Sequence, residues 1–110
     1  MHKQERLSED MRLLVSTIIS QELKHPDLQG MLTVTRIEIT PDQKYAKIHV
    51  SMYGTKNKER VLAALKKSTG YIKKQISLRL KIRNTPAITF VSDDSIEYGA
   101  YMNEVFKKMK

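Results

Sequence analysis

The sequence predicts a small α+β domain, and three observations predict it. Apolar residues recur at helical spacing in two well-separated stretches. They alternate with polar residues in two adjacent stretches joined by a proline turn, and a third strand-like stretch follows Pro86 before helical spacing returns. The expected order is α, β, β, α, kink, α, β, α. With 110 residues, 40% hydrophobic and 29% charged, the chain is expected to fold as one domain, residues 1–110, around its own core.

In the first element Met11, Leu14, Val15, Ile18 and Ile19 repeat at i, i+3, i+4, i+7 and i+8, the spacing of one buried helical face. Ser8 is the expected N-cap, and Glu9 and Asp10 suit the positive end of the helix dipole. Pro26 keeps the preceding residue out of helical geometry, so the helix should run from about residue 8 to about residue 24. In "YAKIHVSMY", Ala46, Ile48, Val50 and Met52 alternate with Tyr45, Lys47, His49, Ser51 and Tyr53, the pattern of a half-buried strand. The preceding "MLTVTRIEI" also alternates, but Leu32 and Val34 are out of phase with Ile37 and Ile39, which a bulge near Thr35 or Arg36 would correct. Thr40 to Gln43, "TPDQ", supplies the turn of a hairpin, with Pro41 preset for its first central position. Val61, Leu62, Ala64 and Leu65 restore helical spacing, and Ile72, Ile76 and Leu80 continue it past Ser68, Thr69 and Gly70. A kinked helix pair and a single helix with a weak point both fit. Pro86 should stop this segment, Ile88 and Phe90 should form the third strand, and a closing helix from near Asp93 and Asp94 should bury Tyr101, Met102, Val105 and Phe106.

Charge narrows the function. The formal net charge is +8, and all of it resides in one stretch: no acid occurs between Glu59 and Asp93, where Arg60, Lys66, Lys67, Lys73, Lys74, Arg79, Lys81 and Arg83 lie. Solvated helix faces normally intersperse acids with cations to relieve repulsion, so an unrelieved run points to a polyanionic partner such as nucleic acid. Catalysis has little support. Cys is absent, which excludes thiolate metal sites and cysteine nucleophiles. His2, His25 and His49 lack the close spacing of metal ligands and read as solvated surface residues. Asp93, Asp94 and Glu97 fall at a helix start, where acids are expected anyway, so neither a metal nor another cofactor is expected. A nuclease would want clustered carboxylates beside the basic surface, and the stretch has none. The N-terminus lacks an apolar signal core and no run is long enough to span a bilayer, so a cytoplasmic protein without membrane contact is expected.

Gly70, amid these cations, admits a structural role as a helix C-cap or close-packing point, and a functional one as a place where backbone meets phosphate at a helix N-terminus. Two helices joined through a small glycine-containing turn, after a hairpin and before a third strand, is the αββααβ order of a type II KH domain, whose GXXG loop clamps nucleic-acid backbone. Here the equivalent "STGY" has a single glycine. The chain more closely resembles bacterial ribosome-binding factor A, a KH-like family in which an Ala-X-Gly kink replaces that loop. "ELKHPDLQGMLTVTRIEIT", "YAKIHVSMYG", "STGYIKKQISLRLKIRNTPAITF" and "DDSIEYGAYMNEV" carry the resemblance in order, with Pro86, Phe90, Asp94, Ser95 and Gly99 in the family's sequence of positions. The kink maps onto Ser68, Thr69 and Gly70, with serine in place of alanine.

The resemblance implies a non-enzymatic assembly factor that binds the maturing 30S subunit on its 16S rRNA. It also implies assistance in late 5′-end maturation and greatest importance in the cold. A monomer is expected, with a ribosome-associated GTPase as a further candidate partner. The residues expected to meet RNA are Lys66, Lys67, Ser68, Thr69, Gly70, Tyr71, Lys73, Lys74, Arg79, Lys81 and Arg83. A nonspecific nucleic-acid binder and a protein-docking module using the same cations are the rival readings.

Overall fold

The computed structural model describes residues 3–28, 31–55 and 57–93, and for 3–5 the backbone alone. The first helix, α1 (Lys3–Thr17), passes into a π-helical turn, Ile18–Glu22. It buries Met11, Val15, Ile18 and Ile19, the periodic residues, with Leu14 partly covered. Its ends differ from expectation. Ser8 is not the N-cap but lies inside the helix, and its hydroxyl donates 3.1 Å to the Ile37 carbonyl of the neighbouring strand. A tertiary acceptor has taken the hydroxyl that a local cap would have used. The helix also stops before proline geometry could act: Leu23 is already extended (φ −82°, ψ 126°), three residues ahead of Pro26, and its amide donates to Ile18 O at 3.0 Å. Leu23 and Leu28, partly buried, pack against the core on either side of the turn.

The hairpin follows as expected. β1 (Met31–Ile39) pairs antiparallel with β2 (Tyr45–Tyr53), and the register shifts between Val34 and Arg36, making Thr35 the bulged residue. The shift brings Val34 and Ile37 to the same buried face, opposite Val50 and Ile48. In the turn, Gln43 N donates 2.8 Å to Thr40 O, and Asp42 accepts from the Thr40 hydroxyl (2.6 Å) and the Lys44 amide (3.0 Å). Gln43 takes the left-handed φ of 60° that closing the hairpin requires.

α2 (Lys58–Lys67) is capped by Asn57, whose Oδ1 accepts 3.1 Å from the Arg60 amide, and α3 (Thr69–Leu80) follows after the single residue Ser68. Asn57→Ala should cost about 1 kcal/mol and lower the melting temperature by roughly 4 °C in a thermal scan. Pro86 does not end α3. Lys81 does, five residues earlier, by adopting a left-handed C-cap at φ 53°, ψ 41°. β3 (Ala87–Ser92) then pairs parallel with β2, giving the strand order β1-β2-β3. Ala46, Ile48, Val50 and Met52 of β2 form a core with Met11 and Val15 of α1, Val61 and Leu65 of α2, and Ile72 and Ile76 of α3. The fold is thus mixed α+β with helices and sheet meeting at one apolar layer. The expected closing helix, with Tyr101, Met102, Val105 and Phe106, lies outside the described residues.

Two histidines also depart from the solvated reading. His25 is half-buried, its Nδ1 accepting from the Asp27 amide at 3.1 Å. His49 has a side chain only 12% exposed, with Nε2 3.4 Å from a Glu38 carboxylate oxygen. Pairing in β2 opposite Arg36, just past the bulge, sets it there.

Candidate nucleic-acid interface

Ser68, at φ −88° and ψ 0°, breaks the helical path between α2 and α3. Its hydroxyl donates back to Ala64 O at 3.0 Å, and Thr69 Oγ1 donates to Leu65 O at 3.3 Å. Such back-bonding competes with the backbone ladder and favours a bend. The helical path is therefore interrupted at Ser68, within the stretch where the kink was expected, and the interruption has a side-chain cause. Gly70 is the second residue of α3, with no positive φ, and among the described residues a Cβ there would meet nothing within 4 Å. It is not a glycine C-cap, and it is not a close-packing point against any described residue. Ile72 N donates to Ser68 O at 3.0 Å, which leaves the amides of Thr69, Gly70 and Tyr71 ahead of the first hydrogen bond within α3.

From Gly70 onward α3 presents three faces. Ile72 and Ile76 point into the core. Gly70, Lys73, Lys74 and Ser77, spaced one and two turns apart, line a concavity of about 550 Å³. Arg83 and Asn84 close its far side. They arrive there because the left-handed Lys81 reverses the chain at the end of α3, while Ile82 packs on the core. Sequence spacing alone does not bring Arg83 back to Lys73 and Lys74.

The third face carries Tyr71, Gln75 and Arg79, and it meets a residue that periodicity does not single out. Glu22, in the π-helical turn, accepts from Arg79 Nη1 and Nη2, each at 2.6 Å, and from the Tyr71 hydroxyl at 2.6 Å. Arg79 Nε donates to Gln75 Oε1 at 3.1 Å. The Arg79 guanidinium, and secondarily the Tyr71 hydroxyl, hold the Glu22 carboxyl below its ordinary value, and the carboxylate in turn pushes Tyr71 and Arg79 up. One signal for Glu22 was available: an acid at a helix C-terminus opposes the dipole and calls for a compensating partner. A lowered carboxyl pKa contributes stability that is complete at neutral pH and fades as pH falls through the folded value. The difference in melting temperature between the native chain and Glu22→Gln should therefore shrink on acidification from pH 7 to pH 3.

The other expected contact residues divide. Lys66 and Thr69 line a separate groove of about 360 Å³ between α2 and β3, with Leu62, Ile88 and Phe90. Lys67 is exposed at the end of α2, and Lys81 is exposed at the C-cap. Among the described residues no three His, Asp or Glu side chains come together to hold a metal ion, and no helix is long and apolar enough to cross a membrane.

Residues 3–106 match the family model described as ribosome-binding factor A. The chain belongs to that family. It is 42% identical to the ribosome-binding factor A of Clostridium tetani over 106 residues, 96% of this chain and 88% of that protein. It is 41% identical to that of Caldanaerobacter subterraneus over 109 residues, 98% and 89% of the respective lengths. Its fold is similar to the crystal structure of ribosome-binding factor A from Thermus thermophilus, with a TM-score of 0.73 at 21% identity, covering 81% of this chain and 93% of that one. A homology model of the Thermus thermophilus factor, fitted into a cryo-EM map of a 30S complex with it, is also similar, with a TM-score of 0.69 at 20% identity and the same coverage.

Proposed function

We propose that this chain binds the free, maturing 30S subunit through its 16S rRNA and acts there as a late assembly factor, not as an enzyme. The observation that carries this reading is the concavity on α3, which Lys73, Lys74 and Arg83 line together with a glycine that no other described residue covers. Cations at that spacing neutralise successive phosphates, and the uncovered Gly70 lets RNA backbone come close to the leading amides of α3. The kinked α2–α3 pair then does the work of the clamp loop in a KH-like module. Lys66, Lys67 and Lys81 extend the positive field on either side. Contacts of this kind position a partner without reading its bases, so selectivity for the subunit comes from rRNA shape. Family membership supports the subunit as the target, as does the similar Thermus thermophilus factor fitted into a 30S complex. Assistance to 5′-end maturation, a role in cold adaptation and a cytoplasmic, monomeric state complete the proposal.

The test is co-sedimentation of the purified protein with isolated 30S subunits, 50S subunits and 70S ribosomes at near-physiological salt. Stoichiometric association with 30S alone is expected. Equal association with every particle, or with none, would overturn the assembly-factor reading.

A further inference from the structure

Along the sequence the basic segment is one unbroken field, but the structure divides it. Of the eight cations between Glu59 and Asp93, Arg79 is the one that an ion pair holds among the described residues. All three of its nitrogens are engaged: Nε by Gln75, and the two terminal nitrogens by the two oxygens of Glu22. That paired fork is the same geometry a guanidinium would offer a phosphate, so the carboxylate occupies the place an RNA oxygen would take. Tyr71, beside Gly70, has its hydroxyl bound to the same carboxylate, which fixes the ring toward the end of α1. Glu22 reaches both through the π-helical turn, whose Ile18 carbonyl accepts from Leu23, one residue further along than in an α-helix.

We infer that Glu22 is a specificity-determining residue of the RNA-binding face, withholding Arg79 and Tyr71 from RNA and ending the positive surface along that side of α3. The inference rests on the proposed RNA-binding function. A carboxylate there repels phosphate entering from the α1 side, so backbone is accepted only along the groove formed by Lys73, Lys74 and Arg83. This narrows the set of RNA shapes the face admits, disfavouring a free duplex that could approach from any direction. Exposed ion pairs add little to stability, so the clasp can be removed without dismantling the fold.

The decisive experiment measures binding to 30S subunits and to a free duplex RNA across a salt series, with thermal melts alongside, for the native chain, Glu22→Gln, Arg79→Gln and the double variant. Glu22→Gln should steepen the salt slope for duplex RNA by about 0.7 to 0.9, the share of one added phosphate contact, and lower the ratio of 30S to duplex affinity several-fold. Arg79→Gln should leave the slope as it is, and the double variant should return to the native slope. An unchanged slope in Glu22→Gln would make the clasp purely structural, and a flattened slope in Arg79→Gln would make Arg79 an RNA ligand. Either result overturns the inference while leaving the proposed function standing. Should Glu22→Gln fail to fold, Glu22→Ala takes its place, with the same steepened slope expected and an unchanged slope again overturning the inference. A native chain that binds neither 30S nor duplex in a salt-dependent way would instead overturn the RNA-binding reading, and the role of Glu22 with it.

Discussion

Replacing Lys73 and Lys74 together by glutamate should lower affinity for the 30S subunit on the order of a hundredfold, with little change in melting temperature. Both side chains are exposed and both line the concavity on α3. Each phosphate contact contributes through released counterions, so losing two flattens the dependence of affinity on salt by roughly 1.5 in logarithmic slope. The two new carboxylates add repulsion to that loss. Stability should hold because substitutions at exposed positions away from caps and cores usually stay within about 0.5 kcal/mol. Binding isotherms between low and moderate salt, read beside a thermal melt, separate the two effects. Native affinity in the double variant would remove these lysines from the interface.

Gly70 should separate folding from binding still more sharply. Glycine in a helix costs up to about 1 kcal/mol relative to alanine, and nothing among the described residues demands it here, because φ is not positive and no described atom lies within 4 Å of where a Cβ would stand. Gly70→Ala should therefore raise the melting temperature by a few degrees while weakening 30S binding about tenfold, since the added methyl holds RNA backbone off the amides of α3. Gly70→Glu should fold as well and bind far more weakly. The combination of a more stable protein with a poorer ligand site is not expected from any purely structural role. A Gly70→Ala variant that melts higher and binds like the native chain would exclude backbone contact at this position.

How much of this was legible in the sequence follows from the range over which each signal acts. The alternation in "YAKIHVSMY" placed Ala46, Ile48, Val50 and Met52 on the buried face, and the phase slip in β1 narrowed the bulge to Thr35 or Arg36, of which the structure bulges Thr35, because a strand's side chains must alternate whatever surrounds it. The same holds for the helical spacing of Met11, Val15 and Ile18 and of Ile72 and Ile76. Helix ends were less legible. Ser8 had a competing acceptor 29 residues away, and the stop after Leu80 came from a left-handed lysine, a conformation local propensity assigns to glycine or asparagine.

The sequence by itself determined the order of the described elements, most of their core residues and the location of the whole positive charge, since periodicity and charge counts depend only on neighbours along the chain. It also carried the family, through four short stretches in order. Only the tertiary structure decided which cations share a surface. Lys73 and Lys74 meet Arg83 because the chain reverses at Lys81, Lys66 faces a different groove, and Arg79 is matched by a glutamate 57 residues earlier. Coulomb interactions and hydrogen bonds depend on distance in space, and the contacts that set those distances here join residues far apart in the chain.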